Sequence, residues 1–253
     1  AGNTAIGKVA LQANTGAYNT ALGYQALQTN TTASYNVGLG YLALALNTTG
    51  TQNTAVGTYA LDANTTASYN TAIGYHALSA NVGNYNTAVG RQALKANDGG
   101  ERNTAVGYDT LLVADASYNV AIGMHALNAT TTGEANTAVG YNSLLANTTG
   151  TRNVAVGSYA STAGTIGRYN TSMGYNALTS DVDGDYSVAI GYSALASQVS
   201  DATNQVVLNT AVGTSAGAAL TSGIRNTFIG GQAAGGVVTG DENTGIGFQA
   251  LYA

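Results

Sequence analysis

The chain has no proline, no cysteine and no tryptophan, and only 8% of its 253 residues are charged. Each shortage removes something. Without proline, and without a glycine at every third position, a collagen-type triple helix is excluded. Disorder driven by charge is excluded too, because hydrophobic residues make up 45% and the net charge is only −5. The seven basic residues are scattered from Lys8 to Arg225 and form no patch able to neutralise a run of phosphates, which argues against nucleic acid as a partner. No apolar run reaches the length of a membrane span, and no signal peptide is visible. The chain does not begin with Met, which fits processing or a longer parent. Lack of cysteine is compatible with either an extracellular or a cytosolic home.

What is present is one short motif, repeated. Asn-Thr-Ala-Val-Gly and its variants occur fifteen times, starting at Asn3, Asn19, Asn36, Asn53, Asn70, Asn86, Asn103, Asn119, Asn136, Asn153, Asn170, Ser187, Asn209, Asn226 and Asn243. Successive starts are 16 or 17 residues apart, except for a step of 22 after Ser187. A unit reads N-T-A-V-G-Y-Q-A-L-x-A-N-T-T-G-x-Y. Residues 1–253 therefore form a single array without a separate globular domain. It carries an insertion at 196–208 and drifting repeats over 209–253, where the leucine column gives way to Gly217 and Ala234.

Each column has a physical reading. The first is Asn in every unit but one (Asn53, Asn70 and Asn86 are central examples), and the second is Thr or Val, which suits a β-strand. The fourth is aliphatic, as at Val56, Ile73 and Val89. The fifth is always Gly, as at Gly57, Gly74 and Gly90, implying a positive φ or a backbone approach too close for a Cβ. An alanine column and a leucine column follow, and the unit closes on turn chemistry such as Asn47-Thr48-Thr49-Gly50.

A unit this short cannot bury its own apolar face, but stacked units can. The predicted fold is all-β: a parallel β-solenoid with one rung per 16–17 residues, the aliphatic and leucine columns forming continuous ladders. Fifteen rungs at about 4.8 Å each would run roughly 70 Å. The Asn column is expected to form a ladder of amides bonded along the axis. Tyr-Gln-Ala-Leu spaces its apolar residues three apart, so a short helical turn per repeat competes with a second strand.

The variants Ser187-Val188-Ala189-Ile190-Gly191 and Asn119-Val120-Ala121-Ile122-Gly123 resemble the S-V-A-I-G repeats in the heads of trimeric autotransporter adhesins. The fuller unit is similar to repeats of bacteriophage tail fibres, and Asn226-Thr227-Phe228-Ile229-Gly230-Gly231-Gln232-Ala233-Ala234-Gly235 resembles those preceding their chaperone domain. The resemblance implies a left-handed parallel β-roll and a homotrimer, intertwined or side by side, although the adhesin repeat is shorter than this one. Thin rolls with alanine columns bury little alone, which supports partners. A monomeric solenoid is the alternative.

Candidate sites are few. Tyrosines fill two columns, one before the motif Asn and one after the Gly; Tyr75, Tyr108 and Tyr141 are candidates for stacking on sugar rings, against a structural role in shielding rung edges. Asp181, Asp183 and Asp185 alternate like the start of a calcium loop, but the closing Glu is missing and a solvated turn competes. His76 and His125 share a polar column, too far apart for one metal. Asn30 and Asn64 head formal glycosylation sequons. No catalytic constellation and no cofactor motif stands out, so the expectation is not an enzyme. The insertion is the local candidate for a specific contact. The composite expectation is an extracellular fibre shaft, on a virion or a bacterial surface, that partners with itself and with a cell-surface glycan or protein receptor. It would have no membrane insertion of its own. Ice- or glycan-binding by a monomer is the alternative, and a polysaccharide-degrading spike a third reading.

Overall fold

A computed structural model describes residues 2–200, 203, 205–236 and 239–252. It is an all-β parallel solenoid of about 14 turns with about 17 residues per rung. Two compact units are distinguished, residues 1–119 and 120–253.

In the first unit the strands are β1 (Thr4–Ile6), β2 (Thr20–Leu22), β3 (Val37–Leu39), β4 (Thr54–Val56), β5 (Thr71–Ile73), β6 (Ala80–Asn81), β7 (Thr87–Val89), β8 (Ala96–Asn97) and β9 (Thr104–Val106). The three-residue strands pair in parallel, each with the next, while β6 and β8 form a separate two-stranded sheet. The second unit repeats the pattern with β10 (Val120–Ile122), β11 (Thr137–Val139), β12 (Val154–Val156), β13 (Thr171–Met173), β14 (Val188–Ile190), β15 (Thr210–Val212), β16 (Thr227–Ile229) and β17 (Thr244–Ile246). Like pairs with like: Thr54 sits opposite Thr71, Ala55 opposite Ala72 and Val56 opposite Ile73. A slip by one residue would turn the central alanine outward, so the register is tightly specified.

Strand alternation puts only the middle residue inside. Ala55, Ala72, Ala88 and Ala105 are fully buried there, as are Ala121, Ala138, Ala155 and Ala189 in the second unit. The core is completed by the second alanine column (Ala60, Ala77, Ala93) and by the leucine column (Leu61, Leu78, Leu94). The aliphatic column does not join it, contrary to the expectation from sequence. Val56 and Val89 are half-buried and Ile73 is exposed, because position four lies on the same outward face as the threonine two residues earlier.

The stretch after the motif Gly is neither helix nor second strand. The amide of Ala60 donates to the Gly57 carbonyl at 3.3 Å, with Tyr59 at φ +57° in the third position of the turn. A positive φ at that position is the mark of a type II turn. Leu61 follows at φ +50°, and Asn64 donates to its carbonyl at 3.2 Å. Between rungs, the Tyr59 amide donates back to the Tyr41 carbonyl and the Leu61 amide donates forward to Ala77. Alternate peptide planes therefore face opposite neighbours, and the run stays paired on both sides without being a strand. The left-handed region costs about 1–2 kcal/mol per L-residue; burying a leucine side chain, worth about 1.5–3 kcal/mol, offsets it.

The motif glycine meets both conditions named from sequence. Gly57 has φ +134°, and a Cβ there would lie 2.6 Å from the Gly74 carbonyl oxygen and 2.8 Å from its carbon. Late in the chain the packing is exchanged rather than lost. Gly217 takes the leucine position, and the space goes to Phe228 and Leu220, both fully buried in the cluster with Leu195 and Ala211.

Candidate functional site

Two columns of asparagine run through the interior. In the motif column, the Asn36 Oδ1 accepts the backbone amide of Asn53 at 2.9 Å, and the Asn53 Oδ1 accepts that of Asn70 at 2.9 Å. The Asn53 Nδ2 donates to the Ala67 carbonyl at 2.8 Å, closing the turn of the next rung. The expected amide-to-amide ladder is therefore not the rule in this column. It is found instead in the asparagines read from sequence as turn residues: Asn30 donates to Asn14 at 2.6 Å, Asn47 to Asn30 at 2.8 Å, Asn64 to Asn47 at 3.0 Å and Asn97 to Asn81 at 2.8 Å. Each also donates to a backbone carbonyl of its own turn, as Asn47 does to Gly50 at 2.9 Å. Asn30 and Asn64 are fully buried by these bonds, so neither sequon offers its nitrogen to a glycan.

The three carboxylates proposed for calcium do not converge. Asp181 stands in the second asparagine column, buried, with Oδ2 accepting from Gln198 Nε2 at 2.6 Å and Oδ1 from the amides of Ser200 at 3.1 Å and Gly184 at 3.3 Å. Asp185, also buried, accepts from the Arg168 amide at 2.7 Å and its guanidinium at 3.1 Å. Asp183 accepts from Thr165 Oγ1 at 3.1 Å. Among the described residues no three acidic or histidine side chains gather as a metal set. Burial pushes the Asp181 carboxyl above the ordinary range, and its hydrogen bonds oppose that only in part.

Gln198, within the segment 196–208, stands in the second asparagine column one rung after Asp181 and explains how the array tolerates Ser187. Its Nε2 donates to Ser187 Oγ at 3.0 Å, and its Oε1 accepts from Asn209 Nδ2 at 2.9 Å. Residues 201, 202 and 204 of the insertion lie outside the described residues. Its far end is pinned: Val207 is buried and its amide donates to the Asp185 carbonyl at 3.1 Å.

The outward surface of each rung presents the Thr or Val of position two and the aliphatic of position four, flanked by the two tyrosine columns. Leu22, Ile73, Ile122, Met173 and Ile229 are all exposed on it. Many of the tyrosines spend their ring faces on one another. Tyr18 stacks on Tyr35 at 5.1 Å, Tyr69 on Tyr85 at 4.8 Å, Tyr24 on Tyr41 at 5.4 Å and Tyr175 on Tyr192 at 5.6 Å. Where arginine replaces tyrosine it takes a layer of the stack: the Arg102 guanidinium lies 5.1 Å from the Tyr85 ring centre and 5.6 Å from that of Tyr118. The sugar-binding candidates are exposed but engaged. Tyr75 meets Tyr59 and His76 edge-on, Tyr108 lies under Arg91 at 4.9 Å, and Tyr141 meets Tyr159 edge-on at 5.2 Å. No family model, curated protein or solved structure matches this chain.

Two further places have room for chemistry. A groove of about 300 Å³ runs beside Ala63, Ala80, Val82 and Ala96, with Asp98 at its edge as its one ionisable lining group. In the same unit, His76 stacks on Tyr59 at 4.7 Å and its Nδ1 lies 3.2 Å from Ser79 Oγ, which donates to Asp62 at 2.6 Å. The serine spends its one proton on the Asp62 carboxylate, so toward His76 Nδ1 its oxygen can only accept, and the serine–histidine–aspartate order of a nucleophilic triad is not met. The signal that sequence reading missed is the second asparagine column, visible as a recurring Asn eleven residues after the first.

Proposed function

We propose that this chain is the shaft of a structural or adhesive fibre, on a virion or a bacterial surface, and that its outward sheet face is buried against further copies of itself. The observation that carries the reading is the row of aliphatic side chains on that face. Ile73 in the first unit and Ile122 in the second are each 40% exposed, on strands that pair like with like in register. Contiguous apolar patches of this kind mark interfaces more often than free surface. Three copies is the number that the resemblance to trimeric fibre repeats implies. Stacked tyrosine faces leave edges and hydroxyls outward, which favours a shielding role over sugar stacking, so a receptor would meet this segment through polar edges or elsewhere. The carboxylates sit in turns, ion pairs or the amide column, an arrangement that suits a support better than a polysaccharide-cleaving groove.

Sedimentation equilibrium of the chain is expected to give three times the monomer mass. Replacing Ile73 and Ile122 together with Glu should reduce it to one, with the β circular dichroism retained, since both side chains point away from the core. A wild-type chain that stays strictly monomeric sinks the trimeric fibre. Thermal hysteresis in that monomer would move the reading to ice binding, which the in-register outward threonines of β4, β5 and β7 favour.

A further inference from the structure

The stacked tyrosines of the column before the motif asparagine form pairs one rung apart. Tyr69 and Tyr85 have ring centres 4.8 Å apart and planes within 6°, and Tyr169 and Tyr186 are 4.8 Å apart within 5°. The backbone fixes these separations. The Tyr85 amide is held by the Ser68 carbonyl at 3.2 Å and the Tyr186 amide by the Arg168 carbonyl at 3.0 Å, so neither ring can drift to another rung. All four rings are between 40% and 48% exposed.

We propose that Tyr69–Tyr85 and Tyr169–Tyr186 are oxidative cross-linking sites, at which a peroxide-driven one-electron oxidant of the haem-peroxidase class joins neighbouring rungs through dityrosine. Each phenol loses one electron and one proton to give a phenoxyl radical. The two radicals couple through ring carbons ortho to oxygen, and each ring returns its displaced hydrogen to oxygen by tautomerisation. One carbon–carbon bond forms, two C–H bonds are lost, and the two hydrogen atoms removed reduce one hydrogen peroxide to two waters.

Three features direct the chemistry to stacked pairs of this column, of which these two are closer and more nearly parallel than Tyr18–Tyr35 at 5.1 Å and 15°. Ring centres in a coupled biaryl are separated by nearly the distance already present, so the stacked pair needs rotation about its Cβ–Cγ bonds and little translation. Tyr85 and Tyr169 are also covered by the Arg102 and Arg152 guanidiniums at 5.1 and 5.4 Å, but both arginines are exposed side chains that can move aside as the ring turns. Both partners are held together before oxidation, which makes the coupling effectively unimolecular. The chain also has no cysteine and no tryptophan, the side chains that most readily take over a tyrosyl radical. Its two methionines, Met124 and Met173, are exposed, but they react with peroxide by gaining oxygen, a different change in mass.

The test treats the whole chain at low concentration with a haem peroxidase and limiting hydrogen peroxide. Expected are the blue emission of dityrosine, a chain that still runs as a monomer on a denaturing gel, and linked peptides joining Tyr69 to Tyr85 and Tyr169 to Tyr186, each lighter by two hydrogens. Phenylalanine keeps the stacking ring but has no phenol to oxidise, so Tyr85→Phe should lose the first linked peptide and keep the second, and Tyr186→Phe the reverse. No emission, links that appear only between chains, or linked peptides dominated by other tyrosines would overturn the proposal. It stands independently of the fibre reading, because the links it requires lie within one chain.

Discussion

Asn53 does three jobs in one residue: its side-chain oxygen takes the backbone amide of Asn70, its side-chain nitrogen closes the turn at Ala67, and its own backbone amide is held by the Asn36 side chain. A buried site that needs a donor and an acceptor at this reach suits an amide: an ionised carboxylate has no donor, and a serine or threonine hydroxyl, though both donor and acceptor, presents them on one atom too close to the backbone. The array shows what happens when that rule is bent. Ser187 survives because Gln198 reaches over it to Asn209. Asp181 survives with its carboxyl pKa raised by burial. The sign of its effect on stability follows. Well below the ordinary Asp value of 3.8 the group is protonated whether folded or not, and its ionisation adds nothing to the balance. As pH rises above that value the unfolded chain ionises first, so stability falls until the folded carboxyl ionises too, and the loss then stays constant. Asp181→Asn removes the ionisable group, although it turns a donor toward Gln198 Nε2 where the carboxylate accepted. Whatever that contact costs at every pH, the variant is expected to compare better with the wild type in melting temperature at pH 7 than at pH 3, because the ionisation penalty is gone. Equal shifts at both pH values would show that Asp181 is not the source of the dependence.

At the scale of one rung, the strand supplies three residues and the turn run supplies the rest, and the hinge between them is the motif glycine. Gly57 combines a φ of +134° with the Gly74 carbonyl at 2.6 Å from any added Cβ. Backbone strain of this kind costs about 1–3 kcal/mol, and overpacking adds about 1–3 kcal/mol. Gly57→Ala is therefore expected to destabilise the fold by about 3 kcal/mol or more in urea titration; a loss under about 1 kcal/mol would mean that the rungs separate easily at this hinge. This glycine was legible in the sequence because invariance inside one chain reports a constraint repeated at every rung. The strand was legible for the same reason. The direction of the aliphatic column was not, because Thr-Ala-Val offers two plausible faces, and alanine is too small to announce that it is the core side. Nor was the turn run: Tyr59 and Leu61 at positive φ contradict the preferences of both residue types, and only pairing with the rungs on either side accounts for them. Asn47-Thr48-Thr49-Gly50 reads as turn chemistry, and turn chemistry alone does not reveal that its asparagine is the buried rail on which neighbouring turns are hung.

At the scale of the array, the hydrogen bonds of the three-residue strands and of the asparagine ladder join each rung to the next, and stability in such an array is approximately a sum over neighbours. That makes the unit removable. Deleting residues 37–53 joins Asn36 to Thr54 and takes out one full period of 17 residues, so each column meets its own kind again: Ala21 comes opposite Ala55, and Leu27 opposite Leu61. At about 0.05–0.15 kcal/mol per residue the loss should be about 1–3 kcal/mol, with a single cooperative urea transition and an unchanged β signal. Deleting residues 37–45 instead removes half a period. The strand of one rung would then face the turn of its neighbour, the glycine hinge would lose its partner, and buried asparagines would lose theirs, each at about 1–3 kcal/mol. The half-period deletion should cost several times more than the full one although it removes fewer residues. Should the two deletions prove equally damaging, stability would not be carried rung by rung, and the repeat could not be treated as an interchangeable unit of the shaft.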